Sequence, residues 1–484
     1  MQSLSAHVYA GLPVWAQNAA LSAWGWAYRR RRLGGSFTAE LDGFRERERW
    51  SAEQMRDYLA GRLRQTLLRA WRQTDFYREA WSQVGIREAD LLAFEPEDLP
   101  RLPLLTRDAL RRESERLLVH GARRYRLQRT STSGSTGTPV SIYWTDADWR
   151  RTMAAKEARS LNWAGGSILG SRAMIGGRAI LPPGEAKPPY YRYNRAEQQV
   201  YFTAFHIRPS TAADYVEGFR RHRPRLLTGY AHSYFFLARM MLEQGLRLDY
   251  RPEAIVLGSE PLDSEMKQTI QLAFGIRPFE EYGAVESCVL ATECERGGLH
   301  LSPDVGLVEI VDEDGHPLPS GETGRIVCTG LGGQAQPLVR YAIGDLGGYA
   351  LSPCPCGRDA LPTLLPVEGR LEDVVYGPDG RQVVRLDWIY KDCPQILEAQ
   401  IIQERPDAFR VKAVTSGELS VELSRTLRER LRARVGEARV AVERVDAIPR
   451  GGRGKFRAVL SLLSEEEKAQ LRTNGAATPA RAGI

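Results

Sequence analysis

The sequence predicts a layered α/β protein with a large N-terminal domain and a small α+β domain at its C-terminus. Between residues 140 and 367, short apolar runs alternate with helical stretches, which is typical of a core of mostly parallel strands. After Gly369 the pattern changes to strand, helix, strand. The chain has 484 residues, and single cores stop growing near ~250–300 residues. We therefore predict a large domain over residues 1–369, a small lid domain over residues 370–468 and a disordered tail over residues 469–484.

The first predicted element is a helix over residues 12–28, rich in Trp, Ala and Leu and followed by four arginines at 29–32. Two interpretations are open. The helix could lie on an anionic membrane surface, or it could pack on the large domain with its arginines complementing the C-terminal helix dipole. The apolar residues form no single stripe, which favours packing over membrane contact.

The next elements follow from hydrophobic spacing. Apolar residues at helical intervals predict helices over residues 51–84 and 106–118. The signal Glu313-Asp-Gly315 predicts a turn between two antiparallel strands. The remaining predicted elements are strands over 225–229, 254–258, 307–311, 324–329, 409–414 and 440–445, and helices over 233–244 and 419–435.

Composition excludes several classes of protein. A hydrophobic content of 43% and a charged content of 26% are those of an ordinary globular protein. The net charge of +7 comes from arginines spread along the chain, with no continuous basic face to indicate nucleic-acid binding. Because no signal peptide and no apolar run of ~20 residues is evident, we expect a cytoplasmic protein with reduced thiols. The oligomeric state stays open.

The most informative stretch is residues 130–139, in which ten residues carry seven hydroxyls and two glycines. Such a turn can fold backbone N–H groups and hydroxyls around a phosphate, because glycine permits close approach and positive φ. It is not a Walker loop, since no Gly-Lys-Ser/Thr follows. Taken alone, it could also be a solvated turn.

Four further segments follow in order, at residues 281–286, 340–346, 369–373 and 451–457. With the hydroxyl-rich loop, this series resembles the adenylate-forming superfamily of acyl-CoA synthetases, luciferases and peptide-synthetase adenylation domains. Residues 201–206, 354–358 and 398–403 are similar to the phenylacetate–CoA ligase branch, and especially to its CapK-like capsular-polysaccharide relatives. The resemblance covers roughly residues 12–460.

The resemblance implies an ATP-dependent carboxylic-acid ligase. The acid would attack the α-phosphorus of ATP, release pyrophosphate and form an acyl-AMP, which passes its acyl group to a thiol, with coenzyme A as first choice. An amide ligase that acylates an amine without a thioester is the alternative within this class. From another class, the chain could be an inactive scaffold or nucleotide-binding partner in polysaccharide biosynthesis.

The resemblance also assigns residues to the reaction, which depends on positioning and charge neutralisation. Glu286 matches the acid that holds Mg²⁺, and Lys455 matches the lysine that bridges the attacking carboxylate and the α-phosphate. Glu372 lies where the family has the hinge between its two domains. The residues that match the β/γ-phosphate loop are Ser133, Gly134, Ser135, Thr136, Gly137 and Thr138.

The nucleoside is assigned in the same way. Asp345 matches the carboxylate that accepts both ribose hydroxyls, and Arg370 is expected to make a second ribose or phosphate contact. Singly, Asp345 could be a turn residue and Glu286 a solvated carboxylate at a helix N-terminus. The two walls of the adenine site match Glu281, Tyr282 and Gly283 on one side and Gly258, Ser259 and Glu260 on the other.

The acid pocket is assigned to Tyr201, Phe205 and His206, with Tyr230 and His232 on another wall. Aromatic rings and histidine suit an aryl or modest-sized acid, although a core histidine with satisfied hydrogen bonds is the alternative for His206. Pocket size does not follow from spacing.

The cysteines suggest a separate site. Cys294, His300, Cys354 and Cys356 could form a Cys₃His zinc site, because Cys-Pro-Cys-Gly is a tight turn that presents two thiolates to one metal. Cys288 is an alternative ligand, and unpaired, partly buried thiols are the other interpretation. Zinc here would be structural.

Overall fold

The chain forms two compact units, Met1–Val367 (unit 1) and Glu368–Ile484 (unit 2). For residues 131, 369, 370, 382, 387 and 388, the backbone alone is described. The computed structural model describes residues 9, 11–124, 126–131, 140–178, 180–181, 187–367, 369–370, 375–380, 382–383, 386–390, 393, 395–450, 456–464, 466–468 and 470–471.

Unit 1 contains most of the helices, and their caps and apolar spacing explain their bounds. They are α1 (Val14–Leu33), α2 (Phe37–Arg47), α3 (Ala52–Gln73), α4 (Asp75–Gln83), α5 (Glu88–Leu91), α6 (Arg107–Arg112), α7 (Asp146–Lys156), α8 (Ala212–His222), α9 (Ala231–Glu243) and α10 (Ser264–Phe274). Ser51 and Gln54 form a capping box at the start of α3. Met55, Leu59 and Leu63 are buried at intervals of four residues, so one face of α3 packs on the core.

The helix predicted over residues 106–118 is shorter than expected, since α6 ends at Arg112. The backbone N–H of Val119 donates to the Ala335 carbonyl at 2.9 Å, and that of His120 donates to the Gln73 carbonyl at 2.7 Å. These bonds to distant segments direct the chain away from the helix axis.

The N-terminal helix packs on unit 1 through its arginines. Arg29 donates to the Ala196 carbonyl at 3.0 Å, Arg31 pairs with Asp146 at 3.1 Å, and Arg32 pairs with buried Glu197. Within the part of the chain that the structure describes, no helix has the length and hydropathy needed to cross a membrane.

A nine-stranded sheet forms the centre of unit 1, in the order β14-β10-β9-β8-β7-β6-β3-β5-β4. The five strands β5, β3, β6, β7 and β8 are parallel, as predicted for the core. The sheet ends in antiparallel strands at both edges, which the sequence pattern did not predict. Its strands are β3 (Arg172–Gly176), β4 (Tyr191–Asn194), β5 (Gln199–Thr203), β6 (Leu226–Tyr230), β7 (Ala254–Gly258), β8 (Pro278–Gly283), β9 (Leu290–Glu293), β10 (Leu299–Leu301) and β14 (Thr363–Leu364).

The strands β11 (Gly306–Val311), β12 (Gly324–Gly330) and β13 (Tyr341–Gly347) form an antiparallel sheet. The predicted hairpin is confirmed, because Val311 pairs with Arg325 on either side of the turn. A further antiparallel pair joins β1 (Gln128–Ser131) to β2 (Ser141–Trp144).

Unit 2 has its own core, in which α11 (Val421–Val435) buries Leu427 and Leu431 against a four-stranded sheet. The sheet has the order β20-β19-β18-β21, with β18 (Ile396–Arg405) and β19 (Ala408–Thr415) antiparallel. The predicted strand, helix and strand after Gly369 are thereby confirmed as β19, α11 and β20. The other strands are β15 (Gly369–Arg370), β16 (Val375–Tyr376), β17 (Gln382–Val383), β20 (Arg439–Arg444) and β21 (Val459–Ser461).

Candidate active site

The carboxyl ends of the parallel strands lie at one edge of the central sheet, where ligands bind in open α/β folds. Four of the predicted segments lie at these ends: residues 201–206 at the end of β5, 230–232 at that of β6, 258–260 at that of β7 and 281–286 at that of β8. The topology therefore brings together segments that are far apart in the sequence.

Tyr282 and Asp345 are in contact. The Tyr282 hydroxyl donates to Oδ2 of Asp345 at 2.7 Å, and Asp345 is only 8% exposed. Burial and the negative charge of Asp345 raise the pKa of Tyr282 well above its usual range. Tyr282 thus stays a protonated donor that orients the predicted ribose carboxylate.

Glu286 and Tyr341 form a second bond of the same kind. The hydroxyl of fully buried Tyr341 donates to Oε1 of Glu286 at 3.1 Å. Burial and the charge of Glu286 raise the pKa of Tyr341. This bond holds the predicted magnesium carboxylate against β13.

The two bonds are reciprocal, since each segment provides one tyrosine and one acid. Tyr341 and Asp345 lie four residues apart on β13, and both are buried. Tyr282 and Glu286 lie at the end of β8 and in the turn after it. The segments at 281–286 and 340–346, which sequence analysis identified separately, therefore form one structure.

Helix α7 supports the same segment from the other side. Lys156 pairs with Glu281, and the hydroxyl oxygens of Thr152 and Ser287 lie 2.6 Å apart. Sequence analysis missed Lys156, Thr152 and Tyr341, although the spacing of 152 and 156 on one helix face was a signal for the first two. Glu281, a residue of the predicted adenine wall, is therefore held by an ion pair.

A glycine allows the two adenine walls to approach each other. Gly258 on β7 lies opposite Glu281 on β8, and a Cβ at Gly258 would lie 2.3 Å from the Glu281 carbonyl oxygen. Ser259 follows with φ +68° and is exposed. Glu260, which follows β7, accepts a hydrogen bond from the backbone N–H of His232, which follows the neighbouring strand β6, at 3.0 Å.

Arg340, at the start of the third motif, is a structural residue. Its guanidinium pairs with Glu309 at 2.9 Å and donates to the carbonyls of Leu102 and Gly315. It anchors the beginning of β13, which carries Tyr341 and Asp345.

The predicted acid-pocket residues differ in exposure. Tyr201 is 1% exposed, and its hydroxyl donates to Glu197 at 3.1 Å. His206 is buried, with Nδ1 3.2 Å from the Thr203 hydroxyl and its ring stacked on that of Tyr190. Phe205, Tyr230 and His232 are half-buried at the strand ends.

Several predicted residues lie outside the described part of the chain. They are the phosphate loop Ser133–Thr138, the side chain of Arg370, the hinge Glu372 and Lys455.

The four predicted zinc ligands lie together. Their ligand atoms are all within 4.8 Å of one another, with Cys294 Sγ 3.6 Å from Cys354 Sγ and Cys356 Sγ 3.2 Å from Nε2 of His300. The other ring nitrogen of His300 lies 2.7 Å from the Leu361 carbonyl oxygen. Because a carbonyl oxygen can only accept, Nδ1 carries the proton and Nε2 faces the thiols. The alternative ligand Cys288 is buried elsewhere, next to Ser287.

Known proteins have sequences similar to this chain. Residues 375–461 match the family model described as the CapK C-terminal domain. The chain is 24% identical to Protein CapK of Staphylococcus aureus over 340 residues, which cover 70% of this chain and 72% of CapK. It is 28% identical to a phenylacetate-coenzyme A ligase of Thermus thermophilus over 353 residues, which cover 68% of this chain and 73% of that ligase.

Solved structures show the same fold. A 2-hydroxyisobutyryl-CoA ligase in the postadenylation state, in complex with R3-HIB-AMP, has a TM-score of 0.67 at 21% identity and covers 89% of this chain and 94% of its own. An open conformation of that ligase with 2-HIB-AMP and CoA has a TM-score of 0.55 at 21% identity, over 86% and 93% of the two chains. The resemblance found in the motifs is thereby confirmed: the chain is similar to CapK and to phenylacetate-coenzyme A ligases, and its residues 375–461 match the CapK C-terminal domain.

Proposed function

We propose that the protein activates a carboxylic acid as an acyl adenylate and then passes the acyl group to the thiol of coenzyme A. The observation that carries this proposal is the reciprocal bonding of Tyr282 to Asp345 and of Tyr341 to Glu286. It brings a predicted ribose carboxylate and a predicted magnesium carboxylate to the same strand. The phenylacetate-coenzyme A ligase relatives support the choice of an acid and a thiol.

The residues fit the chemistry of the first step. Mg²⁺ prefers carboxylate oxygens and phosphates, and Glu286 offers a carboxylate whose orientation is fixed by Tyr341. When bound, the ion would neutralise charge on the phosphates of ATP. Asp345 would accept the ribose hydroxyls while Tyr282 orients it. Lys455 and Ser133–Thr138 are assigned to the phosphates by resemblance.

The test is acid-dependent exchange between ATP and pyrophosphate across aryl, acyl and amino acids. We expect exchange with one class of acid, and a loss of at least about tenfold in Asp345→Asn, because a hydrogen bond to a charged group contributes roughly 1.5–3 kcal/mol. Asp314→Asn, in the exposed hairpin between β11 and β12, is the matched control and should exchange normally. Silence across the panel while ATP still binds would favour the inactive scaffold.

The acceptor is tested separately. Mass spectrometry after incubation with ATP, the active acid and either coenzyme A or an amine distinguishes a thioester from an amide. An amide formed at an unchanged rate without coenzyme A would replace our proposal by the amide-ligase alternative.

We also propose that Cys294, His300, Cys354 and Cys356 hold a structural zinc ion. Three thiolates and one imidazole form a closed tetrahedral donor set, and burial lowers the pKa of His300, which keeps it neutral. Gly298 leaves the space that the ligands need, since a Cβ there would lie 2.7 Å from Cys354 Sγ. The site would tie the loop after β9 to the segment after β13.

Metal analysis tests this site. We expect about one zinc per chain and its loss in Cys354→Ser, with a lower melting temperature, since such sites contribute directly to folding. Cys393→Ser, outside the cluster, should keep its zinc. Purified protein without zinc, and with a melting temperature unaffected by chelator or by added zinc, would show that these thiols are unpaired.

A further inference from the structure

Arg178 lies among three aromatic rings just beyond the carboxyl end of β3. The guanidinium carbon is 4.6 Å from the ring centre of Tyr201, 5.4 Å from that of Trp24 and 5.5 Å from that of Tyr28. Two of these rings come from α1 and one from β5. Cation–π contacts of this kind offset part of the cost of removing a guanidinium from water.

The Arg178 guanidinium forms no ion pair within the described part of the chain. Among the residues that the structure describes, no carboxylate lies within ion-pair distance of Arg178 and none of its N–H groups has a hydrogen-bond acceptor. Other half-buried or buried arginines of unit 1 do have such partners, for example Arg31 with Asp146 and Arg172 with Glu197. A guanidinium has five N–H donors in a planar fork, which suits a planar oxyanion.

A row of aromatic rings joins this arginine to the candidate active site. The ring of Tyr28 meets that of Trp149 of α7 edge-on, with 6.3 Å between the ring centres, and the ring centres of Trp149 and Trp144 are 4.5 Å apart. Trp144 lines a cavity together with Glu286. The indole N–H groups of Trp144 and Trp149 are buried without an acceptor among the described residues, so this row offers donors as well as apolar surface.

Arg178 and the predicted acid pocket lie at the same edge of the central sheet. Trp149 lies one turn of α7 before Thr152, which contacts Ser287 at 2.6 Å. One helical turn is roughly 5 Å along the axis. The end of β3 also lies between the ends of β5 and β6, which carry Phe205 and Tyr230 of the predicted acid pocket.

We propose that Arg178 binds an anionic oxygen group at the end of the acid substrate remote from its reacting carboxylate. The preferred substrates are then dicarboxylic or otherwise doubly charged acids. This inference rests on the proposed function for the identity of the ligand. A phosphate of coenzyme A has the same recognition chemistry, and the test separates the two sources.

Binding is measured by calorimetric titration of the full-length protein with linear dicarboxylates from succinate to sebacate, each compared with its monomethyl ester. We expect at least one dicarboxylate to bind at least about tenfold more tightly than its ester, the ratio given by one charge-assisted contact. Arg178→Gln should abolish this difference. Arg178→Lys keeps the charge but lacks the planar fork, and should retain part of it.

Arg101→Gln is the matched control, because the guanidinium of Arg101 also packs over a ring, 5.5 Å from the centre of that of Phe94, but contacts none of the rings around Arg178. This variant should bind like the unaltered protein. Equal binding of diacid and ester by the unaltered protein, or no binding of either, would overturn the inference. The inference would also be overturned if Arg178→Gln bound the diacid normally but lost the preference of the unaltered protein for coenzyme A over dephospho-coenzyme A. Titration measures binding without turnover. If a diacid binds through Arg178 but supports no pyrophosphate exchange, the proposed function is refuted and the inference about Arg178 is not.

Discussion

Tyr282 donates a 2.7 Å hydrogen bond to Asp345 across 63 positions of sequence, and this bond joins the second and third motifs of the chain. Removing the hydroxyl in Tyr282→Phe leaves the ring but frees an oxygen of a buried carboxylate. We expect the KM for ATP in pyrophosphate exchange to rise about 10- to 100-fold, because a hydrogen bond to a charged group contributes roughly 1.5–3 kcal/mol. Tyr349→Phe removes another hydroxyl, which donates to the Val308 carbonyl at 2.7 Å, and should leave the KM unchanged. An unaltered KM in Tyr282→Phe would show that Asp345 does not need this donor.

Glu286→Gln keeps the size of the side chain and its acceptor for Tyr341, but removes the charge. Since Mg²⁺ binds carboxylates better than amides, we expect the Mg²⁺ concentration for half-maximal exchange to rise at least about tenfold. Titration of Mg²⁺ at saturating ATP measures this shift. Glu322→Gln, at an exposed position, is the control. An identical Mg²⁺ dependence in both variants would remove Glu286 from the metal site.

Gly258→Ala should disrupt the two adenine walls. The new Cβ would lie 2.3 Å from the Glu281 carbonyl oxygen, so β7 and β8 must separate, at a cost of about 1–3 kcal/mol. Thermal unfolding and the affinity for ATP should both decline. Gly61→Ala, inside α3 with nothing within 4 Å of its Cβ, should instead stabilise the protein by roughly 0.5–1 kcal/mol. Equal melting temperatures for the two variants would contradict the close approach of the strands.

Asp304 predicts a specific dependence of stability on pH. It is fully buried and pairs with Arg159 at 2.6 Å and with Arg47 at 2.7 Å. Burial alone would raise its pKa, but the two arginines outweigh burial and lower the pKa to about 2. Because the pKa is lower in the folded than in the unfolded state, this stabilisation is complete above about pH 4 and is lost as the pH falls towards 2.

Urea unfolding of the unaltered protein and of Asp304→Asn at several pH values measures this contribution. The difference in free energy of unfolding should be largest near pH 5 and shrink at pH 3, whereas exposed Asp314→Asn should give no such trend. A difference that is constant from pH 5 to pH 3 would mean that Asp304 does not titrate in this way.

The sequence predicted the parts of the fold that depend on local pattern. Hydrophobic spacing located α3, α4 and α11, and the alternation of strands and helices predicted a parallel core. The edge strands β9 and β10 were missed because they have only four and three residues, all of them buried, which are too few for a periodic pattern to identify a strand. The helix at residues 106–118 was predicted too long, since it ends at Arg112 and the chain then bonds to distant segments through Val119 and His120.

The site was predicted motif by motif, and the contacts between motifs were not. Periodicity cannot show that Tyr341 meets Glu286 across 55 positions, since this depends on the order of strands in two sheets. Arg178 was missed for a similar reason, because its three rings come from α1 and β5. The grouping of the four Cys and His residues was predicted from residue types and the Cys-Pro-Cys-Gly turn, since few residue types bind zinc.

One face of α7 carries Trp149, Thr152 and Lys156, which contact Tyr28, Ser287 and Glu281 respectively. This single helix therefore contacts the nucleotide wall and the row of rings at once. A ligand that restricted the motion of the helix would lower the entropic cost of binding for a second ligand that needs the same restriction. By thermodynamic reciprocity, ATP would tighten the binding of the acid by the same factor as the acid tightens that of ATP. Such coupling would favour binding of ATP and acid together, so that ATP is not used before the acid is bound.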